Sequence, residues 1–105
     1  HKDYFEKTDE QGSRTVWLVP SAQSNQMEPV LVTLAPHGSL PEDEPHNGEE
    51  FGYVLSGRII VFYGDRRFDV KAGESFYYEA DKKHRIGNPS GKAAKFLWVS
   101  TPPSF

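Results

Sequence analysis

The sequence contains no cysteine. That absence excludes disulfides, cysteine zinc sites and thiol catalysis, and it fits a reducing cytoplasm, the expected location. Basic runs are missing as well: 12 Lys and Arg against 15 Asp and Glu leave a formal charge of −3, without the cationic footprint that phosphate contacts require. The chain is therefore not itself a reader of nucleic acid. No apolar run approaches the ~20 residues of a membrane helix, and no charged-then-apolar leader opens the chain, so no membrane association is expected. The first residue is His1 and not Met, which points to a processed product or a piece of a longer polypeptide, with His1 as a tag remnant.

Helical periodicity is also scarce. What is present instead is short apolar pieces punctuated by 9 Gly and 8 Pro, the layout of many strands and few helices. The sequence predicts an all-β sandwich or roll with strands over 3–7, 15–19, 28–35, 50–55, 58–63, 66–70, 74–79, 84–88 and 94–100. With 105 residues, 36% of them hydrophobic and 13% aromatic, residues 1–105 are expected to form one domain, since two cores of half the size would be too small to stand alone.

Gly64-Asp65 lies between IIVFY and RRFDV, with Gly first as a two-residue type II′ hairpin turn requires. Ser56-Gly57 and Ala72-Gly73 occupy other strand junctions, where glycine tolerates a backbone that other residues resist. Alternation in AKFLWVS turns Phe96 and Trp98 inward if Lys95 faces water. IIVFY is apolar at five consecutive positions, so that strand is either central or has an outer face that meets a partner subunit.

One stretch is irregular: PHGSLPEDEPHNGE, residues 36–49, with three prolines and four carboxylates. Taken alone it reads as a solvated acidic loop, although loops of this length inside small domains are often functional. Each of the four histidines, His1, His37, His46 and His84, reads alone as an incidental surface or core residue. Spacing changes that for two of them. His46-x3-Glu50-x6-Gly57 is followed by Gly73 and by His84-x3-Asn88, and two imidazoles with one carboxylate on neighbouring antiparallel strands form the facial set that holds Fe(II) or Mn and leaves positions open.

These residues resemble the two motifs of the cupins, small jelly-roll barrels with a double-stranded β-helix. Of the first motif, G-x5-H-x-H-x3–4-E-x6-G, the H-x3-E-x6-G portion is met by His46, Glu50 and Gly57. Of the second, G-x5-P-x-G-x2-H-x3-N, Gly73, His84 and Asn88 are in register, and fifteen residues, 58–72, separate the two motifs. There are departures. The first motif's leading His falls at Glu44, and Glu79 and Asp81 replace the Pro and Gly of the second. The resemblance implies a donor set of Glu44, His46, Glu50 and His84 for one divalent ion (Fe, Mn, Zn or Ni), made harder and more anionic by a carboxylate at position 44.

GEEFGYVLSG (48–57), AGESFYYEADKKHRIGNPS (72–90) and KFLWVSTPPSF (95–105) are similar, more narrowly, to the C-terminal cupin of bacterial helix-turn-helix regulators of the XRE type, a group that includes putrescine-responsive repressors. That resemblance implies a DNA-binding domain outside this chain and a cupin that senses a small molecule and helps the protein form a homodimer. Its pocket would take polar groups from His46, Glu50 and His84 and apolar walls from Phe96 and Trp98. A polyamine or other cationic effector would be favoured by Glu50 and by an acidic rim of Glu42, Asp43, Glu44 and Glu49. The alternatives are a metal-dependent cupin dioxygenase, isomerase or lyase, with Tyr53, Tyr63, Tyr77 and Tyr78 as proton donors, and a dimerisation module that binds nothing and pairs through IIVFY.

Overall fold

The computed structural model describes residues 5–19 and 26–103; His1 and the first two residues of the expected strand 3–7 lie outside them. Nine strands follow in order: β1 (Phe5–Thr8), β2 (Arg14–Trp17), β3 (Glu28–Leu34), β4 (Glu49–Ser56), β5 (Arg58–Tyr63), β6 (Arg66–Lys71), β7 (Ser75–Glu79), β8 (His84–Gly87) and β9 (Ala94–Thr101). No helix occurs among the described residues, and none is long and apolar enough to cross a membrane. The all-β expectation holds, and each strand lies within two residues of its predicted position where it can be compared.

The strands form two antiparallel sheets, one of six in the order β1-β2-β3-β9-β4-β7 and one of three in the order β6-β5-β8. β3 and β9 lie side by side at the centre of the larger sheet, and both alternate strictly between buried and half-buried residues. Their buried sets, Val30, Val32 and Leu34 with Ala94, Phe96 and Trp98, meet Ile59, Val61 and Ile86 from the smaller sheet in one apolar cluster. Phe96 and Trp98 thus face inward as the alternation requires, with their rings tilted at 49° and centroids 5.9 Å apart. Burying a side chain of this size contributes roughly 1.5–3 kcal/mol.

The turn between β5 and β6 is the two-residue hairpin expected. Tyr63 pairs with Arg66 across Gly64-Asp65, and Gly64 has φ 60° while Asp65 stays outside the left-handed region, the type II′ combination. Gly57 has φ 77°, and a Cβ there would come within 2.9 Å of the Ala93 carbonyl oxygen, so the β4–β5 corner needs glycine for both conformation and space. β5 proves to be the central strand of its sheet. Its outward Phe62 lies beneath Arg85, whose guanidinium carbon is 4.0 Å from the ring centroid, and Arg58 bridges to Asp69 at 2.9 Å over the same sheet.

Residues 36–49 are not a free solvated loop. The segment runs along the open edge of β8: the Leu40 N–H donates to the Ile86 carbonyl at 3.0 Å, Asp43 and His84 exchange backbone bonds at 2.7 and 3.1 Å, and the His46 N–H donates to the Ala80 carbonyl at 2.7 Å. Pro36, Pro41 and Pro45 lack a ladder donor, which restricts such a segment to an edge with isolated bridges. In this way the loop carries two side chains, Asp43 and His46, to one end of the roll.

Candidate metal centre and adjoining cavity

β4 supplies Glu50, β8 supplies His84, and the pinned loop supplies His46. Their donor atoms all lie within 4.8 Å of one another. His46 Nε2 and His84 Nε2 are 3.2 and 3.3 Å from the same oxygen, Glu50 Oε2. The other oxygen is held from behind, Oε1 accepting from the Tyr78 hydroxyl at 2.5 Å and from the Trp98 indole N–H at 3.0 Å. Both donors are in register with Glu50 or one step from it, since Glu50 pairs with Tyr78 on β7 and with Ser100 on β9. The sheet therefore fixes the carboxylate so that one oxygen is committed to the protein and the other faces two imidazoles.

Glu50 is 1% exposed and His84 2%. Burial alone would raise the Glu50 carboxyl, but His84, followed by Tyr78 and His46, outweighs it and holds Glu50 below its ordinary value. For His84, burial favours the neutral ring, yet Glu50, the Lys82 carbonyl and Asp43 together push its pKa up. Burial and the negative Glu50 push the Tyr78 phenol well above its usual range. Glu50 thus favours the protonated His84 ring, and burial together with Glu50 favours the neutral Tyr78 phenol.

His84 Nδ1 lies 2.8 Å from the Lys82 carbonyl, the outer bond that fixes a ligating histidine and turns its Nε2 lone pair into the site. Although Nε2 lies 3.3 Å from Glu50 Oε2, the two are not aligned as a hydrogen bond, and Nε2 is a fully buried polar atom without a hydrogen-bond partner. A buried nitrogen left in this way costs about 1–3 kcal/mol unless a cation or proton meets it. Two imidazole nitrogens and one carboxylate oxygen, converging with an orphaned lone pair, fit a divalent ion of the Fe(II), Mn or Zn type.

The residues expected here are placed unequally. His46, Glu50 and His84 gather. Glu44 is exposed and stands outside the group; the neighbouring Asp43 reaches in instead, its Oδ2 3.6 Å from His84 Nε2, and burial raises its carboxyl pKa. Strand parity would put residue 44 on the side of residue 46, but residues 44–48 form no strand between the isolated Asp43–His84 bridge and the bend at Asn47-Gly48, so that parity does not apply. Of the acidic rim, Asp43 alone faces the site, Glu42 and Glu44 are exposed, and Glu49 lies on the opposite face of β4, accepting from the Tyr77 hydroxyl at 2.8 Å.

A cavity of about 330 Å³ adjoins the cluster, lined by Lys7, Asp9, Thr15, Trp17, Leu40, Asp43 and Trp98 among others. None of the triad lines it, but two of its wall residues do contact the triad, Asp43 at His84 and Trp98 at Glu50. Trp98 is thus a wall as expected, whereas Phe96, fully buried between Phe76 and Trp98, lies one pleat deeper and off that wall. A larger recess of about 540 Å³ opens between β6 and β7, with Tyr78 at its inner end and none of the triad on its lining. Asn88, in register with the second motif, has a structural role: its amide donates to the Lys92 carbonyl at 2.7 Å and its oxygen accepts from the Ser90 N–H at 3.0 Å.

The cupin-domain family profile matches residues 30–100. Among curated proteins, the chain is 29% identical over 87 residues to uncharacterized protein MJ1618 of Methanocaldococcus jannaschii, covering 82% of this chain and 70% of that one. It is 28% identical over 76 residues to the HTH-type transcriptional regulator PuuR of Escherichia coli, covering 72% of this chain and 41% of PuuR. Among solved structures, the cupin domain of an XRE family transcriptional regulator from Enterobacter cloacae superimposes with a TM-score of 0.76 at 20% identity over 88% of this chain and 98% of that one. The FeII form of HppE gives 0.79 at 20% identity over 94% and 57%. Sheet order, clustered donors and a profile match across most of the length lead to one conclusion: this chain belongs to the cupin domain family.

Proposed function

We propose that the chain is the small-molecule-sensing and dimerising domain of a bacterial transcription regulator whose DNA-binding part lies outside it. The observation that carries this reading is the 330 Å³ cavity with two tryptophans and two aspartates on its wall, two of which, Trp98 and Asp43, contact the buried triad. His46, Glu50 and His84 would hold one divalent ion, which when bound supplies a fixed positive charge and open coordination positions. Trp17 and Trp98 offer flat apolar contact to an effector, and Asp9 and Asp43 favour a cationic amine. The kinship with PuuR over the cupin portion supports a regulatory role in the cytoplasm, with a homodimer as the working unit.

The rival is a metal-dependent cupin enzyme, favoured by the orphaned His84 nitrogen. Its expected proton donors are poorly placed. Tyr53 and Tyr77 are exposed on the far side of the sheet, and Tyr63 is bonded to Asp81 with its phenol pushed up to about 12. Tyr78 is committed to Glu50. The deciding experiment measures metal in protein purified without added metal, alongside His84→Ala, and then thermal shifts of the loaded protein against polyamines and other small metabolites. Close to one ion per chain, absent from the variant, with saturable stabilisation by an effector, supports the reading. A flat response across the panel together with turnover of any compound would replace the sensor by the enzyme.

A further inference from the structure

We infer that the outer face of the six-stranded sheet, and not the β5 face, is where two copies of this chain meet. The inference rests on the homodimer part of the reading above and is independent of metal and effector. Phe51 on β4 pairs with Tyr77 on β7 and Val99 on β9, and Val99 pairs with Pro29 on β3. One pleat along, Tyr53 pairs with Leu97, Leu97 with Leu31, and Leu31 with Val16. These rows form an apolar band that crosses five strands without a charged side chain. Phe51, Tyr53, Leu55 and Tyr77 are each 40–59% exposed, and a shallow hollow of about 320 Å³ lies among Met27, Phe51, Tyr77, Val99 and Thr101, with Glu49 and Glu50 at its acidic end. Five strands about 4.8 Å apart and six residues at about 3.3 Å rise give a face of roughly 24 by 20 Å, or about 480 Å² before side chains roughen it. That is the order of the ~800 Å² each partner brings to a standard interface, with aromatics at the centre and charge at the rim.

Charge identifies the occupant. Glu49 and Glu79, themselves paired across β4 and β7, stand at one end of the band. Lys95, with no ion pair among the described residues, stands at the other, where β9 pairs with Ser56 and Thr33. A two-fold axis in the interface plane and perpendicular to the strands reverses one copy end for end, laying each acidic end over the other copy's Lys95. An axis along the strands would set acid on acid. The face is therefore self-complementary in one orientation, as an isologous contact requires. The smaller sheet offers no such surface, because its outward Phe62 is already covered by Arg85 and Arg67 of its own strands.

Sedimentation equilibrium of the chain is expected to give twice the monomer mass at micromolar concentration. Phe51→Glu should weaken the dimer at least ~30-fold, the effect of losing a central hot spot, while its thermal unfolding stays close to that of the parent. Lys95→Glu should weaken it less, and adding Glu49→Lys to that variant should restore association, which keeps the test open should Phe51→Glu fail to fold. A monomeric parent would overturn homodimer and face together. A dimer indifferent to Phe51→Glu, or a double charge variant weaker than Lys95→Glu alone, would overturn this face while leaving the homodimer standing.

Discussion

The two faces of β4 carry opposite chemistry, and in the reverse of the usual sense. Inward, Glu50 is a nearly inaccessible carboxylate; outward, Phe51, Tyr53 and Leu55 stand 40–48% exposed. The difference shows that burial follows partners, not polarity. Glu50 can be inside because Tyr78, Trp98, His46 and His84 take up both of its oxygens, which offsets a desolvation penalty of several kcal/mol per ion. Phe51 is outside because alternation along β4 places it on the face away from Glu50, while Phe76 and Phe96 on the neighbouring strands fill the inner face.

The sharpest way to break this contrast is to remove the inner charge. Glu50→Ala should lower folding stability by about 3–5 kcal/mol, because the His46 imidazole, a phenol and an indole N–H lose their acceptor and His84 loses its nearest carboxylate, and metal content should fall to background. Denaturant titration and elemental analysis read the two effects separately. A stability loss below about 1 kcal/mol would show that Glu50 is not the shared acceptor described above.

Next in size is Gly52→Ala, between the two sets. An added Cβ would sit 2.1 Å from the Phe76 ring, so overpacking should cost about 1–3 kcal/mol. Phe76→Leu in the same chain should recover part of it, and additive losses would refute the clash. Tyr78→Phe takes away one of the two donors to Glu50 Oε1 and leaves Trp98; the expected cost is about 1 kcal/mol, with metal affinity reduced but not abolished, as found when outer partners of ligands are removed. Smallest should be Arg58→Ala. Its exposed bridge to Asp69 is worth about 0–1 kcal/mol, and a larger loss by thermal denaturation would mean that the arginine cover of the smaller sheet contributes more than charge.

Much of this architecture was legible in the sequence, for identifiable reasons. Gly64-Asp65 specified its hairpin because a positive φ at the first turn position is cheap only for glycine, and AKFLWVS specified its inner face because Lys95 breaks the apolar series. The triad was legible through His46, Glu50 and His84, whose spacing matches a known pattern. Asp43 was not: residues 36–49 follow neither strand nor helix parity, so counting from His46 selected Glu44. Nor was the dimension of the exposed face, since EEFGYVLS alternates equally well either way and only the pairing of Glu50 with Ser100 and Tyr78 decides which set is enclosed. The long apolar run in IIVFY read as either a central strand or a partner-facing one, and it is the central strand of the smaller sheet; sequence does not reveal that Arg85 folds over its outward Phe62.

Of the chain's residues, two are tryptophan, and both Trp17 and Trp98 border the 330 Å³ cavity. Trp98 also holds Glu50 by its indole N–H. Indole emission from this protein therefore originates at the wall of that cavity. An occupant that shifted Trp98 would alter how strongly Glu50 could hold an ion, and by thermodynamic reciprocity the ion would alter the occupant's affinity by the same factor. Trp98 would then be an optical reporter of that coupling.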